Sequence, residues 1–195
     1  MDNYHPVATI TLAHHMTIST VTFTQPGPDP GLVATIEPLY TQVYAEPPYH
    51  EGPTEVQEFI DRWNYHVRQP GFRIVLAHRT GRLVGFCFGF PLGAQSRWWD
   101  GLLDPVDASV TAEDGHRSFA IIELAVHAKH RRSGLGRVLH DTLLDSCARP
   151  RATLLTRPEA APALAAYASW GYQAVGRPRP GPNAPLYVAM THNLA

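Results

Sequence analysis

The stretch AIIELAVHAKHRRSGLGRVLHDTLL, from Ala120 to Leu144, limits the possible folds of this chain more than any other part of it. It starts as an apolar run with strand character. It then passes through Arg131-Arg132-Ser133-Gly134-Leu135-Gly136, and continues as a helical stripe of Leu135, Val138, Leu139, Leu143 and Cys147. A buried strand that feeds a helix through a glycine turn belongs in an α/β or α+β domain. Such a turn presents successive backbone N–H groups, and the first helical turn adds donors with no intrahelical partner, so an anion can be held without a charged side chain. Gly134 and Gly136 permit close approach, and Arg131, Arg132 and Arg137 add attraction for phosphate. The plainer alternative is a tight turn on a basic surface.

The rest of the chain alternates in the same way. Thr17 to Gln25 is rich in β-branched residues and is expected to be the first strand, ended by PGPDPG at Pro26 to Gly31. Leu32, Ile36, Leu39, Tyr40 and Val43 have helical spacing within Leu32 to Glu46, with Pro38 expected to bend this helix or to delay its start to about Glu37. Val56, Phe59, Ile60, Trp63 and Val67 form one stripe of an amphipathic helix, with Thr54 and Gln57 as a capping box. Phe72 to Phe90 reads as a hairpin turning at Thr80-Gly81. Arg97 to Ser118 shows no clear periodicity. Strands are then expected at Phe119 to Val126, Ala152 to Thr156, Tyr172 to Arg177 and Ala184 to Leu194, and helices at Leu135 to Cys147 and Ala161 to Trp170. The order predicts one domain over residues 1–195, with a mixed sheet.

Composition excludes several classes. With 195 residues, 44% of them hydrophobic, one sizeable core is affordable. A formal net charge of -1 is not that of a protein that coats nucleic acid. Cys87 and Cys147 have neither a disulfide framework nor zinc spacing, and the eleven histidines are scattered, His14-His15 and His127/His130 being the closest groupings, so no metal is expected. No run is long and apolar enough to span a bilayer and no signal peptide is evident, which makes a cytoplasmic protein the default.

GxxxxGK[ST] and an early GxGxxG are both absent, which argues against nucleotide-triphosphate and dinucleotide folds. The central turn instead fits [Q/R]-x-x-G-x-[G/A], and Ala163 to Arg177 (ALAAYASWGYQAVGR) fits a late A-x-x-x-Y-x-x-x-G-[F/Y] pattern. In this order the motifs resemble those of the Gcn5-related N-acetyltransferase (GNAT) family, over a core from Phe72 to Leu194. The resemblance implies a mixed, mostly antiparallel sheet flanked by helices. That sheet would be splayed between the family's fourth and fifth strands, here Phe119 to Val126 and Ala152 to Thr156. It implies acetyl-CoA as acyl donor. The pantetheine arm would pair with the backbone of Leu124, Ala125 and Val126, and the pyrophosphate would lie on Arg131, Arg132, Ser133, Gly134, Leu135, Gly136 and Arg137. An N–H near Val126 would meet the thioester carbonyl. Many members carry Asn after the fifth strand; Arg157 stands nearest that position here, and no pantetheine contact is assigned to it.

Acetyl transfer to an amine needs a proton acceptor, since a primary amine is mostly charged at neutral pH, and the departing thiolate benefits from a donor. Glu123 is the one acid in an apolar strand and must face a cleft or a partner. It is the candidate base, the alternative being a structural ion pair with Arg73 or Arg82. Glu46 is a second acid to consider. Tyr167 matches the motif tyrosine and by resemblance is the proton donor to the thiolate; otherwise it is a core anchor. His127 is a weaker relay candidate. Trp98 and Trp99 could wall an acceptor pocket or merely cover the core. Glu46, Glu51, Asp100 and Asp104 could attract a cation, and Tyr44 and Tyr49 could line an aromatic site.

The expected function is therefore an acetyl-CoA-dependent N-acetyltransferase acting on a small-molecule or peptide amine. A non-catalytic acyl-CoA-binding or sensor domain is the alternative. A DNA-binding reading is disfavoured by the balanced charge. No membrane partner is expected, and a homodimer is left open.

Overall fold

The computed structural model describes residues 6–12, 16–22, 30–145, 147–182 and 184–194, with only the backbone for 6–12, 18–22 and 30. The His14-His15 pair, most of the PGPDPG break and Asn183 lie outside the described residues. The chain packs as two compact units, each assembled from separate stretches. The first is Met1–Phe90 with Ile122–Ser146, and the second is Pro91–Ile121 with Cys147–Ala195.

The first unit carries β1 (Pro6–Leu12), β2 (Met16–Thr22), α1 (Pro30–Tyr44), α2 (Pro53–His66), β3 (Arg73–Arg79) and most of β4 (Arg82–Pro91). Strands β1 to β4 pair in sequence order, each recorded ladder antiparallel. The expected first strand is thus the second. β1 was not expected, although PVATITL, with four β-branched residues in seven, carries the same kind of signal as β2. The β3–β4 hairpin turns where expected, with Thr80 at φ 49° and Gly81 at φ 77°, the pair of positive φ values that a two-residue turn between twisted strands requires.

Helix α1 runs from Pro30 through Pro38 to Tyr44, which corrects the expectation of a late start near Glu37. Leu32, Ile36, Leu39, Tyr40 and Val43 are all buried. Burying five such side chains, at roughly 1.5–3 kcal/mol each, outweighs the roughly 3 kcal/mol that an interior proline costs. Helix α2 is capped differently from expectation. Pro53 takes the first helical position, and the Glu55 carboxylate accepts the Gly52 N–H at 2.8 Å, while Gln57 donates to Asp61 at 3.0 Å. Phe59, Trp63 and Val67 are buried. The Trp63 ring stands edge-on to Phe72 and Phe88, with centroids 5.6 and 5.3 Å away.

The second unit carries α3 (Ala108–Thr111), the start of β5 (Ser118–Val126), β6 (Arg151–Thr156), α5 (Ala161–Ser169), β7 (Gln173–Gly176) and β8 (Val188–Asn193). Here β5 and β6 are parallel, β6 pairs antiparallel with β8, and β8 with β7. The sheet is therefore mixed and mostly antiparallel, with helices beside it. The β5–β6 ladder covers only Ser118↔Arg151 to Ile121↔Leu154, although β5 runs on to Val126 and β6 to Thr156.

The unreadable stretch before β5 is tied down by charge. Arg151 donates to Glu113 Oε1, Ser118 Oγ and the Val110 carbonyl, all at 2.7 Å, and lies 5.4 Å over the Trp99 ring. Trp99 Nε1 donates to the same Glu113 oxygen at 3.0 Å. Among the described residues no helix is long and apolar enough to cross a membrane. Cys87 is buried and Cys147 half-buried.

Candidate active site

β5 returns to the first unit at Ile122 and leads, through a 3-10 turn at Ala128–His130, to α4 (Leu135–Leu144). The helix ends three residues short of Cys147, because Asp145 at ψ 134° leaves helical geometry. His127 begins the 3-10 turn; its Nδ1 accepts the Lys129 N–H at 3.2 Å and its own N–H donates to the Val84 carbonyl at 2.9 Å. These bonds give His127 a structural task in this turn.

The turn then takes two left-handed residues, Arg132 at φ 57° and Gly134 at φ 85°. An arginine in that region is uncommon, and such alternation gathers backbone N–H groups on one concave side. Gly134 is the N-cap of α4, and a Cβ there would meet no heavy atom within 4 Å. Behind the turn the packing is tight. Leu135, Leu139 and Leu143 are buried. A Cβ at Gly85 would lie 2.8 Å from Leu139 Cδ1 and 3.2 Å from the Ala125 carbonyl oxygen. A glycine in β4 therefore lets α4 settle on the strands and fixes where its N-terminus points.

The backbone of β5 is oriented by the same contacts. The His127 N–H and the Ala125 carbonyl both face β4. Polar groups of successive strand residues alternate in direction, so those of Leu124 and Val126 face away from β4. There the Val126 carbonyl accepts Arg131 Nε at 3.0 Å. The Arg131 Nη1 is bound to Glu46 Oε2 at 2.7 Å. Arg131 thus ties the end of β5 to the loop after α1, and the charge of Glu46 is committed to it. Arg137 pairs with Asp141 at 2.6 Å, and Arg132 is exposed.

Glu123 sits midway along β5, half-buried, with Tyr44 Oη donating to its Oε2 at 2.5 Å. Its hydrogen-bond partner is Tyr44. Burial pushes the Glu123 carboxyl up to about 7; the Tyr44 hydrogen bond pulls it down, Glu51 raises it and Arg62 lowers it. A carboxyl at that value can take a proton near neutral pH. Tyr44 is the residue that sequence reasoning missed in this role. It lies 79 positions from Glu123, and its only signal was its place four residues after Tyr40 on the α1 stripe. The two rings are 4.4 Å apart, Tyr49 lies 4.8 Å from Tyr44, and Tyr40 Oη donates to Glu51 at 2.7 Å.

The structure therefore brings Glu123, Leu124 to Val126, Arg131 and the glycine turn together in the first unit. Tyr167 lies on α5 in the second unit, its ring edge-on to Trp170 at 5.4 Å and to Tyr172 at 5.8 Å. In that unit Trp99 is buried in the Arg151 network, so it covers the core. Trp98 is half-buried and donates to Thr153 Oγ1 at 3.1 Å. Asp100 pairs with Arg97 and Asp104 with Arg177, each at 2.7 Å. Among the described residues no group of three or more His, Cys, Asp or Glu side chains could hold a metal ion.

A β5–β6 ladder confined to four pairs and a left-handed turn opening α4 are the features of this fold that bear on its family. The chain matches the acetyltransferase (GNAT) family over residues 35–172 and belongs to that family. No curated protein sequence matches it significantly. Among similar solved structures is the ribosomal-protein-S18-alanine N-acetyltransferase of Escherichia coli, with 16% identity and a TM-score of 0.58 over 92% of this chain and 94% of that one. Ard1 of Thermoplasma volcanium has 16% identity and a TM-score of 0.57, over 93% and 99%. A GNAT family acetyltransferase of Elizabethkingia anophelis, solved with acetyl-CoA bound, has 14% identity and a TM-score of 0.51, over 91% and 98%. At these identities the likeness is one of fold.

Proposed function

We propose that the chain transfers an acetyl group directly from acetyl-CoA to an amine, with Glu123 as base and Tyr167 as proton donor. The observation that carries this reading is the Glu123 carboxyl, half-buried in β5 with its proton affinity near neutrality, a few residues before a turn suited to an anion. Backbone N–H groups from Arg132 to Arg137 would receive the pyrophosphate, and the outward-facing groups of Leu124 and Val126 would pair with the pantetheine arm. Acetyl-CoA supplies the activated acyl group; the rest of the chemistry falls to the chain.

Glu123 accepts one proton from the acceptor ammonium and leaves a neutral amine. The amine nitrogen forms the new bond to the acyl carbon as the Val126 N–H steadies the negative charge developing on oxygen. Tyr167 gives its phenolic proton to the sulfur as the carbon–sulfur bond breaks, and it is reprotonated from the new amide nitrogen. Glu123 then returns its proton to water. Arg131 positions the turn through Val126 and Glu46. The balanced net charge fits a small-molecule or peptide amine as acceptor.

The test is a panel of amines with acetyl-CoA, read by release of free CoA and by mass of the acetylated product. Turnover with at least one amine, lost in Glu123→Gln at neutral pH and partly regained at alkaline pH, is expected. CoA release that no amine stimulates, from protein that binds acetyl-CoA, would leave a binding domain and overturn the assignment.

A further inference from the structure

We infer that Tyr44 is the positioning residue of Glu123: its phenol holds one carboxylate oxygen, keeps the other directed at the acceptor, and sets the pH at which the base works. This rests on the proposed role of Glu123 and adds to it a second residue, from a different element.

The geometry is specific. Tyr44 is the last residue of α1, and its Oη reaches Glu123 Oε2 at 2.5 Å, a short bond of the charge-assisted kind. The ring cannot swing freely. It lies 4.4 Å from the Tyr40 ring, which is stacked at 3.8 Å on Phe59, and 4.8 Å from Tyr49. Tyr40 and Phe59 are both buried, so the donor is anchored in the core. With Oε2 engaged, Oε1 is the oxygen left to take the proton of the acceptor.

Tyr44 cannot itself be the base. Burial, then the charge of Glu123, raises its phenol well above the usual range, so it remains a donor wherever the protein is folded. The other titratable and charged groups facing Glu123 are Tyr40 on α1, Glu51 on the loop after it, Arg62 on α2 and Cys87 on β4. Burial keeps Tyr40 and Cys87 neutral as well. Glu51 raises and Arg62 lowers the carboxyl, opposing each other as the smaller influences. Tyr44 is thus the strongest influence that favours the ionised form. A hydrogen bond to a charged group is worth about one to two pH units of proton affinity.

Tyr44→Phe keeps the ring and deletes the donor. The first readout needs no acceptor. The side-chain carboxyl carbon of Glu123, followed by carbon-13 NMR in glutamate-labelled protein and assigned by its absence in Glu123→Gln, should titrate about one to two pH units higher in Tyr44→Phe. The second readout is kcat/KM against pH, with whichever amine the wild type acetylates. The ratio of variant to wild type should be about five- to fiftyfold low at pH 7 and return toward one above pH 9, as expected when the ionised fraction alone has changed. Lost packing alone would lower the rate by the same factor at every pH. If Tyr44→Phe does not fold, the ζ-carbon of Tyr44 in the wild type should itself shift through the Glu123 midpoint. An unmoved Glu123 titration in the variant, or a Tyr44 ζ-carbon blind to that titration, overturns the inference. If instead Glu123→Gln keeps the wild-type rate profile, it is the base role that fails, and the two NMR readouts still decide whether Tyr44 governs Glu123.

Discussion

At the scale of single residues, Glu123 and Tyr167 carry the proposed chemistry. Glu123 stands out because one acid in an apolar strand must be accounted for. Tyr167 stands out because the late motif has a place for a tyrosine. Their surroundings are long-range facts without sequence signal. Tyr44 reaches Glu123 across 79 positions, and Arg131 reaches Glu46 across 85. Two candidates change character for this reason: Glu46 is tied to an arginine, and His127 caps a short turn. Tyr167 yields a prediction at this scale. Its ring is held edge-on between Trp170 and Tyr172, so Tyr167→Phe should keep the fold and acetyl-CoA affinity while lowering the single-turnover rate about tenfold or more. Rapid-quench kinetics beside calorimetric binding will check it; a wild-type chemical step in the variant would refute the donor role.

At the scale of elements, the hairpin, α2, and the strand–turn–helix were legible because each obeys a local rule: positive φ at Thr80-Gly81, one apolar stripe, glycines at a helix start. α1 defies a local rule at Pro38, because burial of its stripe is worth more than the lost backbone bond. Two predictions belong here. Gly134 needs φ 85°, which a β-branched residue resists at a cost of about 1–2 kcal/mol. Gly134→Val should therefore lower the melting temperature by only a few degrees, yet weaken acetyl-CoA binding by about tenfold or more if the turn holds the pyrophosphate. Calorimetry on the folded variant decides. The irregular Arg97 to Ser118 stretch was unreadable because its order comes from the Arg151–Glu113 ion pair, whose side chains are 6% and 3% exposed. Arg151→Met alone should destabilise by about 3–5 kcal/mol, since it strands a buried carboxylate, whereas adding Glu113→Leu should recover much of the loss. Urea unfolding of the single and double variants measures the difference.

At the scale of the whole molecule, two half-buried groups with displaced proton affinities act on stability in opposite directions. Burial, and then Arg62, lowers His66 to about 4 from an ordinary 6.5. The unfolded chain then binds the extra proton first as pH falls, so the stability that neutral His66 allows is present above pH 6.5 and is lost progressively down to about 4. Glu123 is raised to about 7 from 4.5. Its unfolded form releases the proton first as pH rises, so stability present below pH 4.5 is lost through about 7, and the folded protein carries an unfavourable buried charge beyond it. Each displacement is worth up to about 3 kcal/mol. Since one unit of that energy moves the melting point of a chain this size by about 2–4 °C, both effects are measurable. Glu123→Gln resembles the protonated residue and keeps an acceptor for Tyr44. It should melt higher than the wild type at pH 8, and the advantage should vanish as pH falls from 7 to 4.5. His66→Gln removes the loss between pH 6.5 and 4, so its melting point should gain on that of the wild type as pH falls through this window, with the difference between the two constant above it. Melting curves of the three proteins from pH 4 to pH 9 test both signs at once. A Glu123→Gln variant less stable than the wild type at pH 8 would mean that Glu123 is a structural anion with a stronger cationic partner than Arg62. A variant that is more stable there and yet slower in catalysis would show a carboxylate kept at a cost in stability for its chemistry, as proteins commonly do at working sites.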